Sequence, residues 1–243
     1  FRFLFIKECN SLSDVLPGLF EKKDDYTELL MNISFSSEDG AVKRLINDID
    51  ASDFKDAVEI IGWMYQYYNE EERDRVINIY KGAIEKSDIP AATQIFTTDW
   101  IVKYMVDNSL GKYWLERNPE SRLKEKLEYY IPSGYDETEN NLKSDTVKPE
   151  DLTFFHPCVG SGHILSFAFD VLLEIYRECA YQDPDAARSI VKNKPFGLEI
   201  DQHAAQLAYF AGMMKARKYN RRWLIKSSDP KIYAIEDNEG MNE

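Results

Sequence analysis

The chain has 243 residues, 44% hydrophobic and 30% charged, with a formal net charge of -13. That suits one large domain or two small ones with a real core. The acidic surface repels DNA, so any nucleic-acid contact needs a local basic patch or another part of the protein. No apolar run approaches a membrane span and no signal-peptide pattern is present, so the expectation is a cytoplasmic protein without membrane contact. Cys9, Cys158 and Cys179 form no CxxC or CxxH pair and read as reduced and structural, with no metal site.

Residues 1–90 read as a helical N-terminal region. The opening Phe1-Arg2-Phe3-Leu4-Phe5-Ile6 is too apolar for a solvated terminus and suggests a piece of a longer protein. Phe3 and Ile6 suggest a helix end, and Pro17-Gly18 a turn. Val42, Leu45, Ile46 and Ile49 recur at helical spacing. A further amphipathic segment starts at Asp53 and carries Phe54, Val58, Ile61, Met64, Tyr65 and Tyr68 on one side. Its aromatics Trp63, Tyr65, Tyr67 and Tyr68 are of the kind that stack on bases, but the expected role is packing against a neighbour. Glu70-Glu71-Glu72 reads as solvated helix surface.

From residue 91 to 243 the reading is a partial α/β domain. Thr97 or Thr98 can cap a helix through Trp100, Ile101, Tyr104, Met105 and Leu110. A charged insertion follows at about 111–150, with a short helix around Arg122–Tyr130 and then a mobile loop holding Asp136-Glu137-Thr138-Glu139-Asn140-Asn141. The remainder alternates: strand 152–156, helix 163–180, helix 184–193, strand 196–200, helix 202–218, strand 231–235. Pro184 fits a first helical turn. Leu207, Phe210, Ala211 and Met214 share one face of the last helix. Strands separated by helices imply parallel pairing with right-handed crossovers, ordered around the strand ending at His156. Glu236–Gly240 reads as the exit from the third strand.

The stretch from Leu152 to Leu165 has the pattern of a strand, a glycine loop and a helix. Gly160 can take positive φ, and Gly162 leaves no side chain between backbone and ligand. The helix that follows offers free N–H groups. The second strand, Phe196-Gly197-Leu198-Glu199-Ile200-Asp201, ends in two acids. In nucleotide-binding α/β folds an acid there holds ribose hydroxyls. Asp201 is expected to cap the next helix through the N–H of Ala204 or a nearby residue.

His156-Pro157-Cys158-Val159-Gly160-Ser161-Gly162 resembles the D-P-x-x-G-S-G motif of N6-adenine DNA methyltransferases. Gly197–Asp201 resembles their ribose-binding motif, and Gln94–Val102 the F-T-P motif that precedes both. The likeness extends through Phe1–Phe5, Ile60–Tyr68, Ile89–Gln94 and Met213–Arg217 to the adenine-specific methyltransferases of bacteriophage-exclusion (BREX) defence systems. It implies a Rossmann-like S-adenosylmethionine-dependent methyltransferase domain, incomplete here and preceded by a helical region. The cofactor-binding residues it implies are Thr97, His156, Pro157, Gly160, Ser161, Gly162 and Glu199. Thr97 would bond the methionine carboxylate, Gly160 and Gly162 would admit the cofactor, and Glu199 would take the ribose hydroxyls.

The chain departs from the family pattern at three points. Thr98 replaces a proline that would only preset the first helical turn. His156 replaces an acid that accepts from the cofactor ammonium; a neutral imidazole can accept one such bond, a protonated one none. The N-P-P-Y motif that grips a flipped adenine occurs nowhere, so no residue is assigned a catalytic role and these residues alone should transfer no methyl group. The resemblance implies the cofactor-binding part of a site-specific DNA adenine-N6 methyltransferase of a phage-defence or restriction-modification system. Its partners would be double-stranded DNA, met through parts largely outside these residues, and other defence-system proteins. The alternative is a methyltransferase-like module for DNA binding or assembly that has lost the cofactor. The basic cluster Lys215, Arg217, Lys218, Arg221, Arg222 and Lys226 lies at a helix C-terminus, away from the ligand edge, and reads as structural.

Overall fold

The computed structural model describes residues 2–20, 34–54, 60–79, 84–95, 97–133, 146–225 and 229–235. Phe1, Val58, Phe96, the acidic stretch 136–141, Lys226 and residues 236–240 lie outside them. The first third is helical: α1 (Arg2–Leu12), α2 (Ala41–Asp48), α3 (Ile60–Tyr68), α4 (Glu70–Ile79) and the short α5 (Ile89–Thr93). Glu70, Glu71 and Glu72 are exposed in the first turn of α4, where acids complement the helix dipole.

Helix α6 (Asp99–Val106) runs without a break through a π-helical turn, Asp107–Gly111, into α7 (Lys112–Arg117). The helix thus passes well beyond Leu110. Gly111 continues the helix with φ -61°, and a Cβ there would stand 2.6 Å from Leu127 Cδ1. The helix expected around Arg122–Tyr130 is a single 3-10 turn, Leu123–Lys126. Its continuation is captured by the π-helical turn. Tyr129 N donates to Asp107 Oδ2 at 2.9 Å, Ile131 N donates to Asn108 Oδ1 at 2.8 Å, and Asn108 Nδ2 donates to the Tyr129 carbonyl at 2.7 Å. Pro132 also disfavours helical backbone at Ile131.

Strands β1 (Phe154–His156), β2 (Pro195–Glu199) and β3 (Lys231–Ala234) form a parallel sheet in the order β1-β2-β3. Phe155 stands opposite Phe196, and Leu198 opposite Tyr233. The middle strand among the described residues is β2, not the strand ending at His156. Both crossovers step the same way, which leaves β1 at one side. They run through α8 (His163–Glu178) with α9 (Asp183–Asn193), and through α10 (Gln202–Tyr219).

The core lies between these helices, with Leu172, Ile175, Tyr176, Ile190, Met213 and Trp223 fully buried. Burying each such side chain contributes about 1.5–3 kcal/mol. The buried face of α10 differs from expectation. Ala204, Ala208, Ala211, Met213 and Ala216 are buried, while Leu207, Phe210 and Met214 are only partly so. Small residues let α10 lie close against the glycine loop. In the basic cluster, Lys215 pairs with Asp170 at 2.8 Å. No helix among the described residues is long and apolar enough to cross a membrane.

Candidate cofactor site

The glycine loop leaves β1 at His156 and enters α8 at His163. Gly160 and Gly162 both have positive φ, 57° and 87°, where L-residues with a side chain are strained. The two glycines serve different needs. A Cβ on Gly160 would meet nothing within 4 Å, so its bare backbone faces open space. A Cβ on Gly162 would stand 2.9 Å from Ala208 Cα, so this glycine admits α10 rather than a ligand. Gly197 on β2 is the third contact. A side chain there would collide with Val159 Cγ2 at 2.3 Å, and its absence seats the loop on the sheet. Val159 N completes the seat by donating to the Leu198 carbonyl at 2.9 Å.

Glu199 braces the loop from behind. Its Oε2 accepts the Gly160 N–H at 2.6 Å, and Oε1 accepts those of Ile200 at 2.9 Å and Asp201 at 3.2 Å. The carboxylate is 7% exposed and does not line the cleft. About four acceptor positions exist on a carboxylate, so roughly one remains for a ribose hydroxyl.

In front of the loop lies an open, partly solvent-filled cleft. Thr97, His156, Gly160 and Ser161 come together there, joined by Cys158 and His163. Of the other implied cofactor residues, Pro157 is exposed outside the cleft, and Gly162 and Glu199 stand behind it. Thr98, not Thr97, occupies the N-cap of α6, and it makes no side-chain capping bond. Thr97 is thereby free of the capping role and faces the cleft.

His156 is half-buried, and its Nδ1 is shielded without a hydrogen-bond partner. Burial lowers its pKa below the usual imidazole value, with the nearby Glu199 charge pulling the other way. The ring is therefore neutral at pH 7, the form that can accept from an ammonium. His163 Nε2 stands 3.8 Å from Asp99 Oδ1, which joins the start of α8 to the start of α6. Among the described residues no cluster of three His, Cys, Asp or Glu side chains is placed to hold a metal.

The far wall comes from the helical region. Tyr65 and Gln66 of α3 line the cleft with Gln94 and Ile95. Tyr65 Oη donates to Asp201 Oδ2 at 2.7 Å, and Gln94 Nε2 donates to the same oxygen. Asn69 Nδ2 donates to Gln94 Oε1 at 2.8 Å. Asp201 caps α10 through His203 N at 3.0 Å, one residue earlier than Ala204. The aromatic residues of α3 do not share one packing role. Trp63, Tyr67 and Tyr68 are 49%, 66% and 81% exposed, whereas Tyr65 reaches the α/β part through Asp201. Helical spacing set Tyr65 on one side of its segment with Met64 and Tyr68, but no pattern in the chain pairs Tyr65 with an acid 136 residues away.

A three-strand parallel sheet with a glycine loop opening on its carboxyl edge is compatible with part of a methyltransferase fold. Two curated proteins agree. The adenine-specific methyltransferase PglX of Lacticaseibacillus casei (strain Zhang) is 44% identical over 96% of this chain, and the adenine-specific methyltransferase BrxX of Escherichia coli O9:H4 (strain HS) is 41% identical over 98%. The chain is a homologue of these adenine-specific methyltransferases and spans 20% of their length. No protein-family model matches it.

Proposed function

We propose that the chain is the cofactor-binding part of a DNA adenine-N6 methyltransferase acting in a phage-defence or restriction-modification system, BREX in particular, in the cytoplasm. The observation that carries this reading is the meeting of Thr97, His156, Gly160 and Ser161, from two separate parts of the chain, in one cleft at the carboxyl end of a parallel sheet. The group that fits is S-adenosylmethionine, which supplies an activated methyl on its sulfonium. Gly160 leaves its backbone bare, and His156 offers a neutral nitrogen acceptor to the amino-acid end. Thr97 adds a hydroxyl for the carboxylate, and Glu199 stands behind the loop on the ribose side. Double-stranded DNA would be held largely by parts beyond these residues, alongside other proteins of the defence system.

One observation favours the second reading, a methyltransferase-like module without cofactor: the Glu199 carboxylate is already engaged by three backbone N–H groups. Calorimetric titration of the purified chain with S-adenosylmethionine separates the two. Saturable one-to-one binding is expected, and no heat at millimolar ligand would favour the module. Incubated with duplex DNA and labelled cofactor, the chain should transfer no methyl, because it holds no N-P-P-Y segment for a flipped adenine. Label recovered in DNA would overturn that expectation.

A further inference from the structure

We infer that Tyr65 forms the base-facing wall of the cleft, its ring set against the purine of an adenosyl ligand and held in place through its hydroxyl by Asp201. The inference rests on the proposed cofactor reading and extends it to a residue of the helical region.

The cleft has two ends. The β1 end is the glycine loop, with Gly160, Ser161 and His156. The β2 end is the start of α10, with Ala204, and there Tyr65 and Gln94 close over it. A ligand that lays its amino-acid end on the glycine loop and its ribose beside Glu199 carries its base onward past the end of β2. Asp201 sits two residues beyond Glu199, and Tyr65 is tied to it at 2.7 Å. The base and the tyrosine ring therefore fall on the same side of the cleft.

The clasp is more than a surface contact. Asp201 is 9% exposed and accepts from Tyr65, Gln94 and the His203 backbone together. The Tyr65 ring lies 6.5 Å from that of Tyr68, with 20° between planes, and 6.3 Å from His203. Its hydroxyl is thus held by hydrogen bonding, with Tyr68 and His203 beside its ring. Burial, then the bond to Asp201, raises its pKa, so the hydroxyl stays protonated and donating. A residue whose only task was to join α3 to α10 would be covered by the junction, whereas Tyr65 lines the cleft. A planar ring tethered at the base end suits a planar base, which aromatic side chains bind through their faces.

The test uses the 243-residue chain with S-adenosylhomocysteine as probe. In a deuterated sample with protonated tyrosine, the adenine H2 and H8 signals should show nuclear Overhauser contacts to a tyrosine ring, lost in Tyr65→Leu. By calorimetry Tyr65→Leu should bind about tenfold or more weakly, and Tyr65→Phe, which keeps the ring but frees Asp201, less weakly than that. A structural role alone could lower affinity but would give no contact between ring and base. Absence of that contact in the liganded wild type overturns the inference, whether or not Tyr65→Leu folds. Equal affinity of a folded Tyr65→Leu also overturns it. If the wild type does not bind the probe at all, the cofactor reading itself fails and takes this one with it.

Discussion

Glu199 Oε2 accepts the Gly160 N–H at 2.6 Å, joining the end of β2 to the tip of the glycine loop across 39 residues. The same carboxylate holds the backbone of Ile200 and Asp201. Glu199→Ala would leave three N–H groups without this partner and should cost about 1–3 kcal/mol of stability, read by urea denaturation. It should also weaken S-adenosylmethionine by about 1.5–3 kcal/mol, the range for hydrogen bonds to a charged group. Stability unchanged in Glu199→Ala would mean that the brace is not formed in solution.

The glycines should separate by experiment. Gly160→Val places a β-branched side chain at positive φ, which costs roughly 1–2 kcal/mol, and fills the space in front of the loop, so binding should suffer more than folding. Gly162→Ala keeps the same backbone penalty and adds a collision with Ala208 backbone at 2.9 Å; overpacking of that kind adds roughly 1–3 kcal/mol. Its thermal midpoint should therefore fall further than that of Gly160→Ala. The reverse order would show that α10 does not press on the loop.

His156 sets a pH dependence with a definite sign. Its folded pKa is lowered by burial, against the partial opposing pull of Glu199. The unfolded chain accepts a proton that the native state resists, so stability is lost as pH falls below about 6.5. His156→Asn should lessen that loss, as followed by denaturation at pH 7.5 and 5.5. His156→Asp should tighten cofactor binding by restoring an anionic acceptor, with the advantage growing as pH falls from about 6.5 towards the lowered pKa at which the folded wild-type ring becomes cationic. Equal affinities of His156→Asp and wild type across that range would show that the side chain does not face the ammonium.

The sequence by itself determined the local pieces. Apolar runs, Gly160 and Gly162, and the terminal acids of Phe196–Asp201 placed β1, β2, β3 and the helices between them to within a few residues, because strand and helix periodicities are local. The resemblance to N6-adenine methyltransferases, carried by those motifs, implied Thr97, His156, Gly160 and Ser161 as site residues. Tertiary structure decided the rest. Whether a glycine serves a ligand or a neighbouring helix depends on what stands opposite its missing Cβ: open space for Gly160, Ala208 for Gly162. Whether Glu199 faces a ligand or a loop depends on which N–H groups come within reach, and the Gly160 amide is 39 residues away in sequence. The helix read around Arg122–Tyr130 gave way because Asp107 and Asn108 took the backbone groups of Tyr129 and Ile131. Tyr65 entered the site only through Asp201, since a hydrogen bond between side chains 136 residues apart follows from the packing of α3 on α10 and leaves no periodic trace in the chain.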